Sequence, residues 1–243
     1  MKIIVNGAAG KMGARLSEIV RENHELVGAA DAFSVTEEIA RSLSEITAEA
    51  DGIIDFSFHT ATPSLLEYAA GRGLPVVIAT TGHTPDEAAV IEEYAKRIPI
   101  FVSANMSVGV ALTVKLAKQA ASVFPDADIE IIEKHHNRKK DAPSGTALMI
   151  AKAVAEAANT TEFVYGRSGH CPRNQGEIGI HAIRMGDVVG EHEVLINTGT
   201  ETITIAHSAH TRDIFAEGSI AALEFLKDKS AGLYNMYDMI GRD

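Results

Sequence analysis

KIIVNGAAGKMGARLSEIVREN, residues 2–23, passes from a β-branched run through three glycines into an amphipathic stretch of helix-forming residues. Ile3, Ile4 and Val5 follow one another without a polar break, as in a strand covered on both faces. Gly7, Gly10 and Gly13 stand where the strand gives way to the helix. Bare backbone at that point can pass close to a pyrophosphate, and a helix start offers unpaired N–H groups at the positive end of its dipole. The spacing is G-x-x-G-x-x-G rather than G-x-G-x-x-G, so the glycines alone fit tight strand-to-helix packing as well as a phosphate site.

The same alternation continues to residue 105. ELVGAAD (25–31), GIIDFS (52–57), PVVIAT (75–80) and PIFVSA (99–104) predict strands, and VTEEIARSLSEI (35–46), ATPSLLEYAAGRG (61–73) and TPDEAAVIEEYAKRI (84–98) predict helices. Thr84 as N-cap, Pro85 in the first turn and Glu87 three residues after the cap mark the last of these starts. Strand and helix in alternation imply a Rossmann-like, doubly wound parallel sheet over residues 1–105. Asp31 ends the second strand about 20 residues after the glycines, where a carboxylate can accept from an adenosine ribose. The segments 56–58, 80–82 and 103–105 end the other strands, and in a parallel sheet all these ends share one edge. A dinucleotide site follows. Ala32, not a cation, comes after Asp31, which favours NADH over NADPH, with Lys11 and Arg15 as the side chains able to reach a 2′-phosphate.

After Asn105 the pattern changes. A helix over 108–123 leads to the strand DIEIIEKHH (128–136), and another helix covers about 146–157. From Gly176 onward IGIHAIR, EHEVLI and ETITIAH alternate with period two. They predict a second α+β domain, residues 106–216, on a mixed or antiparallel sheet. A helix over 214–228 returns the chain to the first domain, so 217–243 belong there.

Charge narrows the partners. The 243 residues carry a formal net charge of −11, with 33 Asp+Glu against 22 Lys+Arg, which argues against nucleic acid and anionic membranes as partners. One cysteine, Cys171, forms no internal disulfide and fits a reducing compartment. The apolar N-terminal run is too short for a signal peptide and no run is long enough to span a bilayer, so a cytoplasmic location is expected.

Against that acidic background, EKHHNRKKDAPSGTA (133–147) gathers two histidines and three cations before a helix start. His135 or His136 can exchange a proton near neutrality, Lys139 follows within reach, and Ser144, Gly145 and Thr146 offer hydroxyls and unpaired N–H groups to a carboxylate. Each feature singly has a structural alternative: a helix cap, a solvated loop, a core histidine. Adjacent histidines are not a usual zinc spacing, so no metal is expected. Together the groups suit reduction of an acidic C=N or C=O compound.

The run E-x-HH-x-x-K-x-DAPSGTA, with GAAGKMG, Asp31, TTG (80–82), SANMSVG (103–109) and GEIGIHAIRMGDVVGEHEV (176–194), resembles the 4-hydroxy-tetrahydrodipicolinate (dihydrodipicolinate) reductase family of lysine and diaminopimelate synthesis. The resemblance implies a nicotinamide-binding domain, a domain for substrate and homotetramer assembly, and hinge closure between them. It implies His135 as proton donor and acceptor, Lys139 as proton donor, and His136, Gly145 and Thr146 as substrate ligands. Gly7, Ala8, Ala9, Gly10, Lys11, Met12, Asp31, Ala79, Thr80, Thr81, Ser103, Ala104, Asn105 and Met106 would line the NADH or NADPH site. The chain departs from the family pattern in a short 31–52 segment, in Ala32 for a frequent arginine, in Ala79 for a glycine and in Met106 for an aromatic. An NAD-dependent dehydrogenase of another small carboxylic acid, and a non-catalytic NAD-sensing protein, are the alternatives.

Overall fold

β1 (Lys2–Asn6) buries Ile3, Ile4 and Val5 completely, and α1 (Lys11–Asn23) follows the glycine turn. In the computed structural model, which describes residues 1–241, β1 lies between β2 (Glu25–Ala30) and β3 (Gly52–Asp55). β4 (Val76–Ile78) and β5 (Pro99–Val102) extend the sheet on the β3 side, and every pairing is parallel. The chain winds outward from β1 in both directions, so the strand order turns between β1 and β3. Ligands of open α/β sheets bind at the carboxyl ends beside such a turning point. α2 (Thr62–Arg72) and α3 (Pro85–Ala95) form the crossovers, and α3 opens with the expected reciprocal bonds between Thr84 and Glu87.

The helix expected over 35–46 does not form. Ala40 N–H donates to Ala29 O and Asp31 N–H to Ala40 O, so this segment lies extended against the end of β2. Thr36 Oγ1 accepts from the N–H groups of Glu38 and Ile39, which closes a local turn in place of a helical one. Only Leu43–Glu45 is helical, as one 3₁₀ turn.

The second unit, Gly109–Arg212, contains all but the first residue of α4 (Val108–Val123), then β6 (Asp128–His135), α5 (Gly145–Ala158), β7 (Phe163–Tyr165), β8 (Ile178–Arg184), β9 (Gly190–Asn197) and β10 (Thr202–Ala209). Its sheet runs β10-β9-β6-β8-β7, with β6 parallel to β8 and antiparallel to β9, a mixed sheet. Val114, Ile131, Ile150, Val154, Ile178, Val194 and Ile196 form the core between the sheet and the two helices. Along β6 every second residue is buried: Ile129, Ile131, then Glu133 and His135. The apolar stripe of the strand thus ends in an acid and an imidazole.

α6 (Asp213–Leu226) brings the chain back to the first unit, which comprises residues 1–108 and those from 213 onward. Residues 106–108 and 213–216 therefore lie with the first sheet rather than in the expected 106–216 domain. The reason is a close approach: a Cβ on Gly218 would lie 1.8 Å from the Met106 carbonyl oxygen, so α6 packs directly on that backbone. β11 (Gly232–Tyr234), which was not expected, pairs with β5 and completes six parallel strands before the short α7 (Met236–Met239). Residues 242 and 243 of the expected 217–243 return lie outside the described residues. Among the described residues no helix is long and apolar enough to cross a membrane.

Candidate active site

At the carboxyl ends of β1 and β3 the first unit opens a cleft of about 740 Å³. Gly7 has φ +78°, and a Cβ there would fall 2.6 Å from the Phe56 carbonyl. A Cβ on Gly13 would sit 2.0 Å from the Gly7 oxygen, so these two glycines let strand, turn and helix close up. Gly10 is exposed, and as N-cap of α1 it supplies no side-chain cap bond, which leaves the helix start facing the cleft without an internal anion. Asp31 Oδ2 accepts from Ala9 N–H at 3.2 Å, and Oδ1 from Phe33 and Ser34 N–H at 2.9 and 3.1 Å. A carboxylate has about four acceptor sites, so one is left for a ribose hydroxyl. The glycine cradle, the open helix start and the oriented Asp31 fit a dinucleotide.

Of the other expected cofactor residues, Ala9 and Lys11 are exposed, Met12 is half-buried and Ala8 is buried. Ala79, Thr80 and Thr81 follow β4, and Ser103, Ala104, Asn105 and Met106 follow β5, on the same sheet edge but outside this cleft. Thr80 Oγ1 donates to the buried Asp55 carboxylate at 2.6 Å, and Met106 is only 2 % exposed; both side chains serve the interior. Sequence inspection missed Arg41, Ser42 and Ser44. Because 35–46 folds back along β2 instead of forming a helix, these residues line the cleft with Asp31 and Ala32.

The second unit concentrates the titratable groups. Glu133 is 0 % exposed, and its Oε2 accepts from His135 Nδ1 at 2.5 Å. Arg184 donates to both carboxylate oxygens, at 2.8 and 2.7 Å, and Ser144 N–H donates to Oε1 at 3.0 Å. Burial works to raise the Glu133 carboxyl, but Arg184, His135 and the Ser144 N–H outweigh it and hold it below the usual carboxylate range. His135 stacks edge-on against His192 with centroids 5.3 Å apart, and a Cβ on Gly190 would meet its Nε2 at 3.1 Å. Lys139 pairs with Asp141 at 2.9 Å and is partly exposed. His136 Nε2 lies 3.4 Å from Arg212, and burial, then Arg138 and Arg212, lower its basicity.

Ser144 departs from expectation. It is 2 % exposed, its Oγ accepts from Ala147 N–H at 3.2 Å as the N-cap of α5, and it bonds His192 Nε2 at 3.0 Å. The surface of that helix start is formed by Gly145, which is exposed, and Thr146, which is half-buried. Glu133, Arg184, His192 and Arg212 were missed. Glu133 and His192 were legible in principle, since each falls in register with buried neighbours, Ile131 and Val194, on its strand.

Burial, then the nearby His135, lowers His192 to about 4. Below the ordinary histidine value of about 6.5 the unfolded chain takes up a proton that this folded imidazole refuses, so stability falls as pH drops toward 4. That difference amounts to roughly 3 kcal/mol. Urea unfolding across this range should show a shallower acid loss in His192→Gln than in the natural chain.

Fold and site define a class: a parallel nucleotide-binding sheet joined in one chain to a mixed sheet bearing an acid-paired imidazole and cations, as in a dinucleotide-dependent oxidoreductase. The chain belongs to the dihydrodipicolinate reductase family. Residues 1–106 match that family's N-terminal region and 109–240 its C-terminal region. It is 47% identical to a 4-hydroxy-tetrahydrodipicolinate reductase of Caldanaerobacter subterraneus subsp. tengcongensis, over 99% of this chain and 98% of that one. With the Clostridium novyi protein of the same name the identity is 43%, over 98% of each. Among solved structures, a dipicolinate-bound dihydrodipicolinate reductase from Paenisporosarcina sp. TG-14 has a TM-score of 0.82 and 23% identity, covering 99% of both chains, and shares the fold.

Proposed function

We propose that this protein reduces 4-hydroxy-tetrahydrodipicolinate to tetrahydrodipicolinate with NAD(P)H, in lysine and diaminopimelate synthesis. The observation that carries it is the cluster at the end of β6 and the start of α5, where His135 is paired with the buried Glu133, Lys139 follows four residues on, and Ser144 caps a helix whose first residue, Gly145, is exposed. The substrate is a cyclic imine with two carboxylates and a ring hydroxyl. Gly145 and Thr146 hold one carboxylate through backbone N–H groups and the Thr146 hydroxyl, with the helix dipole adding to the attraction. Lys139 and Arg212 supply the remaining positive charge, and His136, made less basic by burial and its cationic neighbours, offers a neutral hydrogen-bonding ring. His135 and Lys139 handle the protons, one of which leaves with the ring hydroxyl as water; the nicotinamide, when bound, would supply the hydride that balances this loss. Gly7 to Met12 would hold the pyrophosphate, and Asp31 the adenosine ribose.

NADH is the preferred donor on this account, because Asp31 holds a carboxylate beside the ribose. Arg41 with Ser42 and Ser44 supports NADPH as a second donor, by offering a cation and hydroxyls to a 2′-phosphate. Arg41→Ala should therefore raise KM for NADPH by about tenfold, the worth of one exposed charged contact of ~1 kcal/mol or slightly more, and leave KM for NADH unchanged. Steady-state kinetics with both nucleotides checks this. Thr146→Val removes a hydrogen bond to a charged group, worth about 1.5–3 kcal/mol, so KM for the dicarboxylate should rise at least tenfold with kcat less affected.

The test of function is to supply the condensation product of pyruvate and aspartate semialdehyde and follow NADH absorbance. Loss of absorbance supports the reductase. Binding without consumption would point to a nucleotide sensor, and consumption only with another acid to a different dehydrogenase. A cytoplasmic homotetramer is the assembly we infer; the exposed Tyr165, Ile183 and Met185 on the second unit support burial by further copies, which light scattering measures.

A further inference from the structure

Glu133 carries more contacts than an ion pair requires. One carboxylate, wholly buried, receives the His135 imidazole, both terminal nitrogens of Arg184 and the Ser144 N–H. Arg184 in turn donates to the Asp141 carbonyl at 2.7 Å, in the loop whose Asp141 side chain pairs with Lys139. A single acid thus ties the strand bearing His135, the neighbouring β8, the Lys139 loop and the start of α5. The bidentate Arg184 already offsets the charge of the buried carboxylate, so the contact to His135 is more than charge balance requires.

An ionised carboxylate only accepts, so the nitrogen facing it must carry hydrogen. We propose that Glu133 is the positioning residue of the site: it holds His135 as the Nδ1–H tautomer, so that Nε2 is the nitrogen that exchanges a proton with the substrate. The inference rests on His135 as the proton donor. In each turnover the protonated ring gives up the Nε2 proton, keeps the Nδ1 hydrogen on Glu133, and regains a proton from water. His192, from β9, faces the same ring, but its Nε2 is engaged with Ser144 and competes for neither nitrogen.

The first measurement needs no variant. Long-range ¹H–¹⁵N correlation spectra of the intact protein, with the His135 signals assigned by their loss in His135→Gln, should show the neutral imidazole protonated on Nδ1. An Nε2–H tautomer would overturn the proposal even if no Glu133 variant folds. In Glu133→Gln the amide N–H faces Nδ1 and donates to it, which forces the hydrogen to Nε2. The double variant Glu133→Gln/Arg184→Met does the same without leaving a buried cation unpaired. Whichever folds should show the reversed tautomer and lose at least tenfold in kcat, part of the 10²–10⁴ that a proton-transfer group supplies, while dipicolinate still binds. A folded variant with the reversed tautomer and undiminished kcat would reduce Glu133 to a structural ion pair. Full activity in His135→Gln would instead remove His135 from the chemistry and leave the tautomer result standing by itself.

Discussion

His135→Gln should lower kcat by about 10²–10⁴-fold and leave NADH affinity unchanged. Glutamine keeps much of the bulk and can still bond Glu133, but it cannot give up a proton near neutrality. The buried surroundings make the loss specific: Glu133 and His192 enclose the ring, and Gly190 leaves its Nε2 edge free of a side chain. Nucleotide affinity should be unaffected, because the residues proposed to hold the nucleotide, the glycine turn, Asp31 and Arg41, all belong to the first unit. Initial rates for kcat and fluorescence titration for NADH measure the two quantities separately. Near-natural turnover in this variant would leave proton transfer to Lys139.

Gly13→Ala should produce the opposite division of effects. A Cβ placed 2.0 Å from the Gly7 oxygen cannot be tolerated where it stands, because both partners are backbone, so α1 must move away from the turn. Overpacking of this kind costs about 1–3 kcal/mol, and the displaced N–H groups are those that would meet the pyrophosphate. NADH binding should weaken by about 10- to 100-fold, since each 1.4 kcal/mol is tenfold. Binding of the proposed dicarboxylate substrate should persist, because Gly145 and Thr146, the residues proposed to hold it, lie in the other unit. Calorimetric titration with each ligand distinguishes this from general unfolding, which would abolish both.

What the sequence disclosed tracks the range of the interactions involved. The first five strands of the first sheet and the start of α3 follow from apolar runs and a cap formed within four residues, and all are where the pattern puts them. The segment 35–46 misled because its Val, Ile and Leu spacing suits a helix, whereas its backbone bonds go to Ala29 and Asp31. A pairing of that kind has no local signature. Gly232–Tyr234 is a strand of three residues, too short to show a period. In the second unit the histidine and lysine run was conspicuous, yet Glu133 was hidden in a strand that carries acids on both faces. Counting by two from Ile129 places Glu133 and His135 inward with the core, and an ionised side chain at a core position requires partners. Arg184 and Arg212 meet the site only through sheet register and the end of β10, which no window of sequence displays.

The most direct test of the central claim is to follow the hydride. With NADH bearing deuterium at the transferring position of C4 and the condensation product of pyruvate and aspartate semialdehyde, mass spectrometry should find tetrahydrodipicolinate carrying a single deuterium and nucleotide oxidised in equal amount. Product that forms without the label, or labelled nucleotide that stays reduced while bound, would contradict reduction at this site.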